Sequence, residues 1–264
     1  MKNFFPFLWL ALFSGMVTGQ QALADFINRS LAETMLPADT GDRSLRSNIT
    51  VNVKVYLEGA YSSVAGRMTT ALNPALIPLN QPYNRSPWNY AGPEQLPVVP
   101  AVMTDWVLVE LRTQTAGSSM VARSACLLTR EGTVTGLNGI DLPLFEGVTA
   151  GDYYVVIRHR NHLAVMTASA IPLSESSSLY DFTMALDRAY GANPMVSLGN
   201  GSFGMFSGDA NGNGSINNID LVQWRTNFSR IDYNDADLFA DGVVNSLDYI
   251  KWRRYNAKRT AVPN

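Results

Sequence analysis

Asp209–Asp220 reads DANGNGSINNID, and 28 residues further on Asp237–Asp248 reads DLFADGVVNSLD. In the first stretch, positions 1, 3, 5, 9 and 12 are Asp209, Asn211, Asn213, Asn217 and Asp220, all bearing side-chain oxygen. Calcium is a hard cation wanting about six to eight oxygens, and a twelve-residue loop wraps it when donors recur at alternate positions. Position 7, Ser215 in one loop and Val243 in the other, supplies a main-chain carbonyl. Position 6 is glycine in both, Gly214 and Gly242, where such a loop turns sharply. The second loop repeats the pattern with Asp237, Asp241, Asn245 and Asp248, but its position 3 is Phe239, which has no oxygen to offer. Apolar Ile216 at position 8 predicts that two such loops pair back to back.

The similarity continues past the loops, with Val222, Trp224 and Arg225 matched by Ile250, Trp252 and Arg253. Each loop therefore leads into a short helix, expected at Asn218–Ser229 and Ser246–Lys258, and the two loop-helix units face each other. A tandem calcium loop with Asp at position 12, followed by one helix and preceded by none, resembles a type I dockerin over Ser207–Lys258. The resemblance implies a non-catalytic module that docks onto a cohesin domain. It also implies partner contacts from loop positions 10 and 11, here Asn218 and Ile219, and Ser246 and Leu247.

Upstream, Ile49, Val51, Val53, Val55 and Leu57 alternate with Thr50, Asn52, Lys54 and Tyr56, the pattern of a half-buried strand. Residues 59–100 carry seven prolines and read as a long surface excursion whose Tyr83, Trp88 and Tyr90 pack back or bind something. Strands resume at 105–114 and 121–129, then a turn at Arg130-Glu131-Gly132 leads to a partner at 133–137. The run 151–168 reads as two strands or one bent around Arg160–His162, and 179–184 closes the set. Antiparallel strands with turn residues between them indicate a β-sandwich. Together DWVLVELR, GDYYVVIRHRNHLAVMTA and YDFT, ahead of the dockerin-like tail, resemble a β-sandwich region of secreted and surface proteins of Bacteroidetes-type bacteria. Such regions are labelled adhesin- or haemagglutinin-like.

The first 24 residues combine Lys2, an apolar run over 4–17 and Ala22-Leu23-Ala24, an export leader that would place the protein outside the cell or at its surface. The apolar run is too short to serve as a membrane span, and no later stretch is long enough. A formal net charge of -2 gives no reason to expect a nucleic-acid partner. The single cysteine, Cys126, sits in an apolar stretch and reads as a small buried hydrophobe. The two histidines, His159 and His162, point to opposite faces of an ideal strand, while Arg158 and Arg160 share a face that suits an anion. Asp105 and Glu110 are carboxylates of one strand, and no nucleophile elbow, phosphate loop or zinc helix appears.

These readings divide the chain into a leader (1–24), an irregular segment (25–47), a β-sandwich (48–186), a Gly-rich linker (187–206), a paired calcium-loop module (207–258) and a tail (259–264). The fold class is mainly β followed by a small α-helical module. The leading function is a secreted, non-catalytic Ca2+-binding protein that docks onto a cohesin-like protein or cell-surface scaffold. The alternatives are a glycan-binding or adhesin-like surface protein and, further off, a polysaccharide-degrading enzyme. Because Phe239 removes a ligand, the first loop is expected to bind calcium more tightly. In calcium titrations Asp209→Ala should therefore cost more affinity than Asp237→Ala; the reverse order would contradict the ligand count.

Overall fold

The structure, a computed structural model, describes residues 48–264. The export leader and the irregular segment that follows it lie outside the described residues. The first strands are β1 (Ile49–Thr50), β2 (Val53–Lys54), β3 (Tyr61–Ser62), β4 (Arg67–Met68), β5 (Met103–Arg112) and β6 (Met120–Thr129). Next come β7 (Val134–Thr135), β8 (Leu144–Phe145), β9 (Gly151–Arg158), β10 (Val165–Met166) and β11 (Ile171–Leu173). The last are β12 (Tyr180–Asp181), β13 (Val196–Gly199) and β14 (Ser202–Gly204), followed by helices α1 (Asn218–Asn227) and α2 (Ser246–Tyr255).

The molecule is mainly β, organised on one six-stranded sheet of order β10-β9-β5-β6-β7, with β11 also on β9. β5 lies between β6 and β9, pairing Val107 with Cys126 and Val109 with Ile157. All ten of its residues are buried, so this central strand is covered on both faces. The β6–β7 hairpin turns through Gly132 at φ +88°, where a Cβ would lie 2.8 Å from the Val55 carbonyl oxygen. Cys126 is buried, which pushes its thiol up to about 12.

The alternating stretch at 49–57 buries Ile49, Val51, Val53, Val55 and Leu57 completely. It changes partner along its length. β1 pairs β8, β2 pairs β12 in parallel, the Val55 amide donates to the Gly132 carbonyl, and Leu57 bridges Met205. Among the described residues the strands outside the six-stranded sheet pair as short two-stranded sheets. The Pro-rich excursion is pinned by Tyr83, whose hydroxyl donates to the Trp106 carbonyl at 2.8 Å, and by Trp106 Nε1 on the Pro78 carbonyl at 3.0 Å. Tyr83 and Trp88 are buried and meet edge to face, so both aromatics pack back against the core.

Residues 187–206, read as a linker, are built into the fold. They carry the β13–β14 hairpin, bury Met195 and Met205, and exchange main-chain bonds with Tyr56 and Glu58. Residues 48–264 accordingly lie in one compact unit rather than two bodies on a tether. The tail also folds back, with Arg112 Nη1 donating to the Pro263 carbonyl at 2.7 Å and the Thr260 hydroxyl to the Ala164 carbonyl at 2.8 Å. Leu108→Ala at the centre of β5 should cost about 2–5 kcal/mol in urea unfolding. Val64→Ala, at a residue 98% exposed, should stay within about 0.5 kcal/mol.

Candidate metal centre

Asp209 enters the first loop buried, and its two oxygens accept from the amides of Asn213 at 3.1 Å and Gly214 at 2.9 Å. Asn213 Oδ1 accepts from the Ser215 amide, and Asp220 accepts from the Asn211 and Asn217 amides. Shifted by 28 residues, the same bonds recur. Asp237 takes the amides of Asp241 and Gly242, Asp241 takes that of Val243, and Asp248 takes those of Phe239 and Asn245. Asn217 and Asn245 each cap the helix that follows in a capping box with Asp220 or Asp248. Gly214 and Gly242 have φ of +83° and +87°, as the tight turn at position 6 requires.

The two units are reciprocal. Trp224 Nε1 donates to the Asn245 carbonyl at 2.7 Å, and Trp252 Nε1 donates to the Asn217 carbonyl at 2.9 Å. Tyr249 lies between the indoles, with centroids 5.1 Å from Trp224 and 5.8 Å from Trp252. The back-to-back pairing expected at position 8 is replaced by a crossed one. Ile216 bonds Ala257 and Lys258 after α2, while Val244 bonds Ser229 and Arg230 after α1. Each loop thus closes on the chain leaving the other unit's helix, which fixes both without their edges touching.

Among the described residues no three His, Cys, Asp or Glu side chains group as a metal cluster. The loops bring together a different donor set: carboxylates at positions 1 and 12, asparagine amides and main-chain carbonyls. That chemistry suits a hard cation. Asp209 and Asp248 are raised rather than relieved by their surroundings. Burial raises Asp209 to about 7, further helped by the nearby charge of Asp220. Burial likewise raises Asp248 to about 6, and the neighbouring Asp237 adds to it. Buried carboxylates pushed up in this way would be relieved by a cation, and the oxygen donors at positions 1, 3, 5, 7, 9 and 12 of the first loop are of the kind calcium takes.

The second loop is compromised by more than a missing oxygen. Lys251 Nζ sits 4.7 Å over the Phe239 ring and bonds Glu58 Oε1 at 2.5 Å, so position 3 is committed to packing on the β body. The charge of Arg160 acts on Asp237 against the effect of burial. The guanidinium of Arg160 therefore already offsets part of the Asp237 charge, while Lys251 is engaged by Glu58 and the Phe239 ring.

The segment Arg158–His162 has a different role from the one its strand pattern suggests. The chain leaves β9 after Arg158 and bends, bringing the two histidine rings to 4.8 Å instead of opposite faces. Arg160 has no exposed surface. Its Nε bonds Asp105 Oδ2 at 2.9 Å, its Nη1 bonds the Asn234 carbonyl, and its plane lies 4.5 Å from the Tyr233 ring. Arg158 stays at the surface on Glu110, so the two arginines share no anion-binding face. Burial would raise Asp105, but Arg160, His159 and the Tyr233 hydroxyl outweigh it and hold the carboxyl well below its usual range. Glu110 is likewise held low by Arg158 and Arg112 against its burial. Neither carboxylate is poised to donate a proton.

The histidine tautomers follow from their partners. The Gly59 amide donates to His162 Nε2 at 3.2 Å, so the His162 proton is on Nδ1, 2.8 Å from Asn161 Oδ1. The Asn161 amide donates to His159 Nδ1 at 3.4 Å, leaving the His159 proton on Nε2, 3.2 Å from Asp105 Oδ2 but poorly aligned with it. Sequence reasoning missed this network because Asp105, Arg160 and Tyr233 lie 55 to 128 residues apart.

Of the residues assigned to partner contact, Asn218, Ile219, Ser246 and Leu247 are all exposed. Ile219 and Val222 of α1 are 56% and 54% exposed, and Leu247 and Ile250 of α2 are 47% and 52%. These pairs occupy equivalent repeat positions, which makes an open apolar face on each helix. On another side, a cleft of about 340 Å³ is lined by Trp88, Glu110, Arg123, Arg158, Asp209 and Asn213, among others.

No family model and no curated protein matches the chain. Among solved structures it is similar to two interface mutants of a type II cohesin–X-dockerin complex from Acetivibrio cellulolyticus. The identities are 16% and 14%, covering 59% and 58% of this chain and 83% of the matched chain, with TM-scores of 0.34 and 0.33. Likeness of that degree carries no argument about fold or partner.

Burial holds both histidines neutral, lowering them from 6.5, with His159, Arg160 and Lys251 adding to the effect on His162. In the unfolded chain they protonate near 6.5, so the unfolded state binds more protons below that pH and stability falls as pH falls. In EDTA, between pH 6.5 and 5, each should contribute a loss of up to about 1.4 kcal/mol per pH unit. Urea unfolding of His162→Gln should show a shallower slope than the wild type; equal slopes would mean that His162 is not held neutral.

Proposed function

We propose that this protein is an exported, non-catalytic calcium-binding protein whose dockerin-like repeat presents an apolar docking face. One observation carries this reading: the hydrogen bonds around Asp209 and Asp220 recur around Asp237 and Asp248, joined by reciprocal indole bonds. A flexible Asn/Gly linker has no reason to repeat a ligand cage bond for bond. Calcium would be held in the first loop by Asp209, Asn211, Asn213, the Ser215 carbonyl, Asn217 and Asp220. It would supply the positive charge those carboxylates lack. The second loop, with Phe239 at position 3 and the Arg160 charge acting on Asp237, would be the weaker site.

The docking face consists of Ile219, Val222, Leu247 and Ile250, four aliphatic residues left open on two short helices. Isolated exposed aliphatics are ordinary, but a repeated pair at matching positions is the arrangement that a protein partner reads. A cohesin-like domain is the partner that the resemblance implies. A second reading, glycan binding, draws on the cleft beside Asp209 with its Arg123 and Arg158. Trp88, only 7% exposed, offers little ring for a sugar to stack on, which favours the docking reading.

The test uses immobilised full-length protein and the secreted fraction of its source organism, with calcium or with chelator. A cohesin-like partner should be retained in calcium, and lost with chelator and with the pair Ile219→Asp and Leu247→Asp. That variant should still bind calcium and unfold normally. Capture unaffected by the variant would sink the docking face, and glycan-array binding that survives it would favour the second reading.

A further inference from the structure

One residue of the β body touches the entrance of both loops. The Asn161 carbonyl accepts from the Gly208 amide at 3.0 Å and the Asp209 amide at 3.2 Å. Its side-chain amide donates to the Asp235 carbonyl at 3.0 Å and the Asp237 carbonyl at 2.7 Å. Asp209 and Asp237 are position 1 of their loops. The remaining polar groups of Asn161 are also engaged: Oδ1 accepts from His162 Nδ1, and its own amide donates to His159 Nδ1. The residue is 1% exposed, so no bulk water competes for these bonds.

Nothing in the internal repeat requires such a contact. The two units are already joined by their indoles and crossed main-chain pairs, and a twofold arrangement has no use for a single outside residue. We infer that Asn161 is a positioning residue that couples the loops, so that calcium in one raises the affinity of the other. The inference rests on the calcium reading above. An ion drawing the Asp209 carboxylate inward fixes the main chain that Asn161 grips. That fixes the amide plane on the other side of Asn161, which grips Asp237. The ordering cost shared by the two loops is then met largely by the first ion, and the benefit is reciprocal.

The coupling must exceed the opposition of Arg160, whose charge acts on Asp237 and which also bonds Asn234. Asn161 sits next to Arg160 in sequence, so the same bend that brings this charge near the second loop also supplies the amide that holds it.

Calorimetric calcium titration of the full chain tests the inference. Asp237→Ala leaves the main chain in place but the second loop unable to fill, and the first loop should weaken by about 5- to 150-fold. In an Asn161→Ala background both loops should be weaker, and adding Asp237→Ala should leave the first loop unchanged. Asn161→Asp keeps the main-chain carbonyl and removes the amide donors, so it should break the coupling even if the alanine variant does not fold. A first loop indifferent to Asp237→Ala overturns the inference, as does a wild type that binds a single ion. A coupling that persists without Asn161 overturns it too. A flat wild-type titration would instead remove the calcium reading itself, and is distinguishable from all three.

Discussion

A guanidinium with no exposed surface has to be neutralised where it lies. Arg160 is that group, and the carboxylate that answers it, Asp105, belongs to the central sheet strand. Such a pair is costly to bury, and removing one partner typically costs about 3–5 kcal/mol because the other charge is stranded. The Tyr233 hydroxyl on Asp105 and the Asn234 carbonyl on Arg160 add to the shell, and both come from the stretch between α1 and the second loop. The ion pair therefore cannot be satisfied by the β body alone. It binds the paired loops to the sheet as part of the core.

The paired loops are not an appendage to the sheet. Gly59 approaches the Leu238 carbonyl so closely that a Cβ there would lie at 1.7 Å, and Gly212 lies against Trp88 at 2.5 Å on the same measure. Each loop rests on the β body through a residue with no side chain to hold it off. Glu58 adds a second buried anchor, accepting from Lys251 and from the Ser207 hydroxyl at 2.6 Å. One side of the module is consumed in this contact. Ile219, Val222, Leu247 and Ile250 on the helices stay exposed, away from this contact.

The same contact explains the unevenness of the repeat. A loop that only bound an ion would keep an oxygen at position 3, as Asn211 does. Phe239 instead carries the Lys251 ammonium that reaches Glu58, so the position serves the junction. The first loop has no such duty and keeps its donors. The absent position-3 oxygen and the Lys251–Glu58 anchor thus go with the same residue of the second repeat.

The paired twelve-residue loops, the 28-residue repeat, the two helices and the alternating stretch at 49–57 were legible in the sequence, because each is a local pattern fixed by loop geometry, helix capping or strand period. The hairpin at Gly132 and the break near Arg160 were legible for the same reason. What the linear pattern could not contain was which distant groups meet. An ideal strand separates His159 from His162, and only the need to bury Arg160 against Asp105 bends the chain so that they touch. The Gly-rich stretch at 187–206 reads as a tether, since its glycines say nothing of the main-chain bonds that Tyr56 and Glu58 offer it. Spacing determined the two loops. The pairing of buried charges, decided across more than fifty residues of sequence, determined that the loops and the sheet form one body.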